Sequence, residues 1–270
     1  MIFLARGDFM DINIKELEEI TYCEKCGEKT GMIVNLLGKE RIVPVICSCR
    51  KQELSELEIK QKKEELQQRI NLLINQGIMD KQFLNNKFEN DNGSNLKILN
   101  VCKKYTDKWQ DIKKENIGII FYGDVGRGKT FYASCIANEL FKNGVSICIT
   151  SFPKIIDKLM NFTEESKILI DKVKTQSLLV IDDFGVERET EYVLEQIFKI
   201  LDDRLRSGLP TIITTNLDIN NFQNPKTIEQ RRIYSRILEM CPIKLLVDNQ
   251  NNRQEKADVK TNLAKQILSS

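Results

Sequence analysis

Residues 123–130 read Gly123-Asp124-Val125-Gly126-Arg127-Gly128-Lys129-Thr130, a complete G-x-x-x-x-G-K-T loop, and this stretch constrains the fold more than any other part of the chain. The glycines let the backbone bend until successive N–H groups point inward around an anion. Lys129 is then placed to reach the β- and γ-phosphates of a nucleotide, and the Thr130 hydroxyl to ligate Mg²⁺. Such a loop works only where a strand delivers the chain and a helix N-terminus carries it away. Both flanks comply. Gly118-Ile119-Ile120-Phe121-Tyr122 is a β-rich apolar run of the kind buried in a parallel sheet. Downstream, Tyr132, Ile136 and Leu140 recur at helical spacing beside Ala133 and Ala137, and Gly144 supplies a stop.

A second constellation follows at Leu178-Leu179-Val180-Ile181-Asp182-Asp183-Phe184-Gly185, where four apolar residues form a buried strand with two carboxylates at its C-terminal end. Ligands of open α/β sheets bind beyond the carboxyl ends of the strands, so the pair is expected near the glycine loop. Asp182 would hold the Mg²⁺ and its hydration shell, and Asp183 would orient or deprotonate the water that attacks the γ-phosphate. A third strand, Pro210-Thr211-Ile212-Ile213-Thr214-Thr215, ends in Asn216, an amide suited to sensing the γ-phosphate or placing that water. The competing readings are a solvated acidic turn for the aspartates and an ordinary turn residue for the asparagine.

The eight cysteines divide into two groups, in a chain without histidine. Cys23-x-x-Cys26 and Cys47-x-Cys49 have the spacing of two ligand pairs on facing knuckles around one tetrahedral ion. Thiolates are soft ligands that suit Zn²⁺, and Gly31, Gly38 and Pro44 punctuate the β-branched residues between them as a hairpin would. A small zinc ribbon is the expectation, against a redox or unliganded cluster. Cys102, Cys135, Cys148 and Cys241 lie in apolar or helical contexts and read as small buried residues.

At 270 residues the chain is long enough for one large domain and a small one. A net charge of +2 is too small for bulk electrostatics to announce a nucleic-acid partner. No apolar stretch approaches the ~20 residues that span a bilayer, and the opening Met1–Arg6 run is too short for a signal peptide, which predicts a cytoplasmic protein without a membrane partner. Mixed charge from Arg50 to Arg69, with Leu54, Leu57, Leu66, Ile70 and Leu73 as an apolar stripe, predicts a solvated helix. The Asn-rich stretch Asn85–Asn95 favours turns, so the sequence divides into residues 1–85 and 86–270. Within the second part, strands are expected near 118–122, 145–150, 178–181, 211–215 and 243–247, and helices near 95–110, 129–142, 152–161, 190–206 and 227–240. That alternation predicts a three-layer α/β sandwich.

Taken together, the zinc-type cysteines, GDVGRGKT, LLVIDDFG, the block TEYVLEQIFKILDDRLRSGLPTIITTN and the segment RRIYSRILE resemble the DnaC/DnaI class of replicative helicase loaders. That class belongs to the AAA+ ATPases, related to the initiator DnaA and the transposition helper IstB. The resemblance implies an ATP-driven switch that holds a hexameric DnaB-type helicase and delivers it to single-stranded DNA, with a reduced or missing helical lid. By position, Gly123 to Thr130 match Walker A, Asp182 the Walker B magnesium aspartate, and Asn216 sensor 1. Asp183 stands where many relatives carry glutamate. Arg236 matches the finger arginine, which acts in trans and implies self-assembly; a surface salt bridge is its plainer reading. Arg253 falls at sensor 2, though Asn249-Gln250-Asn251-Asn252-Arg253 departs from the aromatic-arginine pattern. The segment between Phe152 and Lys174 lies where this class inserts an extra helix along a DNA path, and Lys154, Lys158, Lys167, Lys172 and Lys174 could meet phosphates there. An IstB-like transposition helper or a P-loop small-molecule kinase are the alternatives.

Overall fold

The computed structural model of the chain describes residues 19–36, 38–75, 81–161, 163–187, 190–249 and 261. They fall into two compact units, Met1–Gln68 and Arg69–Ser270. Arg253 and most of the segment on which the absence of a lid turns lie outside the described residues.

In the first unit, β1 (Gly31–Leu36) and β2 (Lys39–Pro44) form the expected antiparallel hairpin. The helix α1 (Ser48–Asn75) follows and crosses the division between units. Its first turn is fixed by Glu28, whose carboxylate accepts from the Ser48 N–H and hydroxyl, both at 2.7 Å. This is N-terminal capping from a distant residue, and it satisfies donors that the helix cannot. Leu57 and Ile59 stay at least half exposed on α1.

The second unit begins inside α1: Arg69 lies 4.7 Å over the Phe141 ring and Leu73 packs against the core. The chain continues through α2 (Lys81–Leu84), α3 (Leu96–Asp107), α4 (Trp109–Lys114), β3 (Ile119–Tyr122), α5 (Lys129–Lys142), β4 (Ile147–Thr150), α6 (Phe152–Asn161), α7 (Glu164–Thr175), β5 (Leu178–Phe184), α8 (Glu191–Ser207), β6 (Thr211–Thr215), α9 (Ile219–Gln223), α10 (Ile228–Met240) and β7 (Ile243–Leu246). Helix starts follow side-chain chemistry: Asn95, Thr163, Thr190 and Thr227 each accept from the N–H three residues on. The single helix expected over 95–110 is two, joined at Lys108, and α7 is the extra helix placed between Phe152 and Lys174.

Strands β3 to β7 form one parallel sheet in the order β4-β5-β6-β3-β7. Alternation sorts its faces. Ile120, Cys148, Leu179, Ile181 and Ile213 pack with α6, α7, α8 and α10 in one apolar cluster. Ile119, Phe121, Leu178, Val180 and Ile212, equally buried, stand one residue out of phase on the opposite face, where Phe121 stacks on Tyr132 of α5. The result is the predicted three-layer α/β sandwich. Because β6 lies between β3 and β5, the carboxyl ends of all three strands meet at one place.

Candidate nucleotide site and cysteine cluster

The glycine loop joins the end of β3 to the start of α5, as its flanks predict. Gly128 caps α5 with φ +100°, a left-handed conformation glycine adopts without penalty. Lys129, only 5% exposed, folds back so that its ammonium donates to the carbonyls of Gly123 at 2.8 Å and Asp124 at 2.7 Å. Arg127 donates to the Asn249 carbonyl at 2.6 Å and lies 3.7 Å from the Asp124 carboxylate.

The two aspartates at the end of β5 reach this loop by different routes. Asp182 continues the phase of Leu178 and Val180 and therefore faces α5, where its Oδ1 accepts from the Thr130 hydroxyl at 2.8 Å. Strict alternation would send Asp183 to the other face. Instead the β5–β6 register breaks between Ile181 and Phe184, and Asp183 takes φ +52°. A bulge of this kind re-aims a side chain, and aspartate tolerates the left-handed region better than most residues. The bulge carries Asp183 into the wall of the cavity that Thr130 also lines. Thr214 on β6 ties the pair together, donating to Asp182 Oδ1 at 2.7 Å while its oxygen accepts the Asp183 N–H at 2.9 Å. Asn216, exposed just beyond β6, lines the same cavity.

That cavity has a volume of about 420 Å³, within the ~300–1,000 Å³ of small-molecule sites. It is lined by the loop residues Val125, Gly126, Gly128, Lys129 and Thr130 together with Asp183 and Asn216. Sequence reasoning missed the rest of the lining, Asn86, Asn90, Asp91 and Asn92 with Phe131, Tyr132 and Asn249. The Asn-rich stretch is pinned there by Asn138, which donates to the carbonyls of Phe83 at 2.7 Å and Asn86 at 2.8 Å. Its turns close on themselves, with Asp91 accepting from the Gly93 N–H and Asn92 from the Ser94 N–H. Donors on a helix N-terminus, a hydroxyl beside a carboxylate, and a roomy half-polar cavity together fit a Mg²⁺-bound nucleotide.

Arg236 lies away from this cavity, on α10, where its Nε donates to Asp202 of α8 at 2.8 Å and its guanidinium sits 5.8 Å over Phe198. Asp202 also accepts from Arg206 at 2.8 Å. Burial raises the Asp202 carboxyl, but the hydrogen bonds from Arg236 and Arg206 outweigh it and leave the group below its ordinary value.

In the first unit the Sγ atoms of Cys23, Cys26, Cys47 and Cys49 all lie within 4.8 Å of one another, with Cys47 and Cys49 at 3.3 Å and Cys23 and Cys49 at 3.5 Å. Four thiolates at the Zn–S length of ~2.3 Å would sit about 3.8 Å apart, so the cluster has the size of a tetrahedral metal site. Cys23 is pulled down to about 6, chiefly by the backbone of Cys26 and then Lys25, while its sulfur neighbours Cys47 and Cys23 push Cys49 above the usual thiol range. The other four cysteines are buried, as expected, and burial pushes Cys135 and Cys148 up to about 12.

The family model of the IstB-like ATP-binding protein matches residues 54–256. Among curated proteins, the replicative helicase loader DnaI of Bacillus subtilis (strain 168) is 32% identical over 149 residues, 50% of this chain and 47% of its own length. The loader DnaC of Buchnera aphidicola subsp. Schizaphis graminum is 31% identical over 166 residues, 57% of this chain and 64% of its own. The loader DnaC of Escherichia coli (strain K12) is 30% identical over 132 residues, 47% of this chain and 52% of its own. The chain thus spans less than two thirds of the length of the curated relatives it matches. Crystal structures of DnaI and of the DnaC helicase loader each superpose with a TM-score of 0.54 at 24% identity, covering 64% and 63% of this chain and 94% and 100% of theirs. At that identity the likeness concerns the fold, which is that of the AAA+ ATPases. Since the family model covers well over half of its residues, the chain belongs to the IstB-like ATP-binding proteins.

Proposed function

We propose that this protein is an ATP-binding and ATP-hydrolysing helicase loader, which holds a DnaB-type replicative helicase and delivers it to single-stranded DNA in the cytoplasm. The observation that carries the reading is the Thr130–Asp182 hydrogen bond of 2.8 Å at the glycine loop, a hydroxyl from the first turn of α5 and a carboxylate from the end of β5 converging on one spot. Thr130 and Asp182 would hold Mg²⁺, which would offset the negative charge of the phosphates. Lys129 would exchange the Gly123 and Asp124 carbonyls for the β- and γ-phosphates, and the N–H groups of residues 124–130 would cradle them. Asp183 orients or deprotonates the attacking water, with Asn216 as sensor of the γ-phosphate. Aspartate in place of glutamate has a shorter reach, which suits a slow switch.

Arg236 would serve a neighbouring subunit, after leaving Asp202, and so requires assembly. Cys23, Cys26, Cys47 and Cys49 would hold Zn²⁺, fixing residues 1–85 as the helicase-binding module beside the ATPase module 86–270. The relatives named as helicase loaders support this reading. The family model, named for IstB, favours a second one: a transposition helper with the same ATPase core and a transposase as client.

Phosphate release from ATP, measured with and without single-stranded DNA and a DnaB-type helicase, tests the proposal. Turnover without any acceptor substrate excludes a kinase, and loss of about a hundredfold or more in Asp183→Asn is expected for a group that handles the water. A parent protein that releases no phosphate under any of these conditions removes the hydrolytic role. Retention of a transposase and not of the helicase by the full chain decides for the second reading.

A further inference from the structure

Asn249 is 6% exposed and lines the cavity, yet its Oδ1 has no hydrogen-bond partner among the described residues. A buried acceptor left without a donor is rare, because desolvation is not repaid. Two contacts hold it in place. The backbone carbonyl is held by Arg127 at 2.6 Å, and Nδ2 lies 3.2 Å from the Tyr132 hydroxyl.

The surroundings decide which end of the amide is free. Tyr132 has a single hydroxyl proton, and the carboxylate of Asp91, which can only accept, is near enough to act on that hydroxyl. With the proton directed to Asp91, the phenol oxygen accepts from Asn249 Nδ2, and Oδ1 is the end left over. That leaves Oδ1 as a buried acceptor on a residue that lines the same cavity as Asp183 and Asn216. Something that donates completes it.

We infer that Asn249 reads the 6-amino group of adenine, so that this residue selects adenine over guanine nucleotides. Guanine carries a carbonyl oxygen at the same ring position, which would set lone pair against lone pair. The inference rests on the nucleotide reading above and adds the basis of its base choice. Asn249 is a specificity-determining residue in it, with Tyr132 and Asp91 as positioning residues.

The test compares binding of ATP, GTP and purine riboside triphosphate, which lacks the 6-amino group, to the full chain by calorimetry. The parent is expected to bind ATP about tenfold or more tightly than either analogue, the size of one unmet buried hydrogen bond. Asn249→Ala is expected to reduce the ATP preference to within about threefold, and Tyr132→Phe, which frees the amide to turn, to weaken it. Equal parental affinity for ATP and purine riboside triphosphate overturns the inference without any variant, and so does full discrimination surviving in Asn249→Ala. Failure of the parent to bind any of the three overturns the nucleotide reading itself.

Discussion

Replacing Lys129 by alanine separates what the glycine loop does for binding from what it does for folding. The ammonium donates to two loop carbonyls, at 2.8 and 2.7 Å, and the residue as a whole is 5% exposed. On the proposed reading a bound nucleotide would exchange those carbonyls for phosphate oxygens, so the substitution would remove the difference between the two sets. A hydrogen bond involving a charged group contributes about 1.5–3 kcal/mol, and with ~1.4 kcal/mol per decade the dissociation constant for ATP should rise by roughly 10- to 150-fold. Stability should respond far less. The variant loses two bonds but also sheds the desolvation of a nearly buried cation, and these oppose each other. A net change within about 1 kcal/mol shifts the unfolding midpoint of a unit this size by only ~2–4 °C. Titration calorimetry with Mg·ATP and a thermal melt on the same preparation read both quantities. An Lys129→Ala protein that binds ATP within threefold of the parent refutes the phosphate role, and one that melts more than 10 °C lower refutes the local account.

Zinc analysis should find about one ion per chain, and chelation should open residues 19–49 to protease while ATP binding by the second unit persists, because so small a module lacks a sufficient core; an unaltered cleavage pattern would count against it. Gly118→Ala would drive a methyl group into the Thr211 carbonyl oxygen and to 2.7 Å from that of Met240, backbone atoms that cannot turn aside. A loss of about 3 kcal/mol, or ~6–12 °C in midpoint, is expected, and a melt unchanged within 2 °C would contradict the packing at the head of β3. The Asp202 pairing with Arg236 and Arg206 holds that carboxyl below its unfolded 3.8, so its contribution is complete above about that pH and is lost as pH falls through the lower folded value. The midpoint gap between parent and Asp202→Asn should therefore narrow as pH falls below 3.8, and a gap that stays constant through that fall would show that the charge is irrelevant.

Local periodicity made the second unit legible. The five strands and the main helices occupy nearly the expected ranges because period-2 and period-3.6 patterns are written into contiguous residues. The loop 123–130 and the cysteine spacing were equally readable, since each motif is a short string with one geometric solution. Thr214 was not. Its hydroxyl matters only because β6 lies between β3 and β5, an order no single strand encodes. The Asn-rich stretch shows turn chemistry in sequence but not the surface on which its turns pack, and Asn249 meets Tyr132 across 117 residues. Asp183 carried a partial signal: two carboxylates in one strand cannot share a face unless the alternation breaks, so the bulge follows once both are assigned to the same site.

Arg204 shows how a charge pattern can mislead in the other direction, and how the far end of the sheet supports the site. In Asp202-Asp203-Arg204-Leu205-Arg206 it reads as one more solvated helix charge, yet it is fully buried. Burial lowers it only to about 10, so the guanidinium stays charged at neutral pH. Its partners are neutral oxygens: the carbonyls of Gln176 at 2.7 Å and Pro210 at 2.8 Å, with Lys174, Ser177 and Thr211 Oγ1 at 3.3–3.4 Å. These are the last turn of α7, where carbonyls lack helical partners, and the residues that lead into β5 and β6. One planar, five-donor group therefore fixes the start of both strands against α8. From there the register runs Leu179 to Thr211, Val180 to Ile212 and Ile181 to Ile213, and the next residues along are Asp182 and Thr214. The hydrogen bond between those two follows a register that Arg204 anchors at the opposite end of the strands, so a cation far from the cavity helps set the geometry of the carboxylate proposed to hold Mg²⁺.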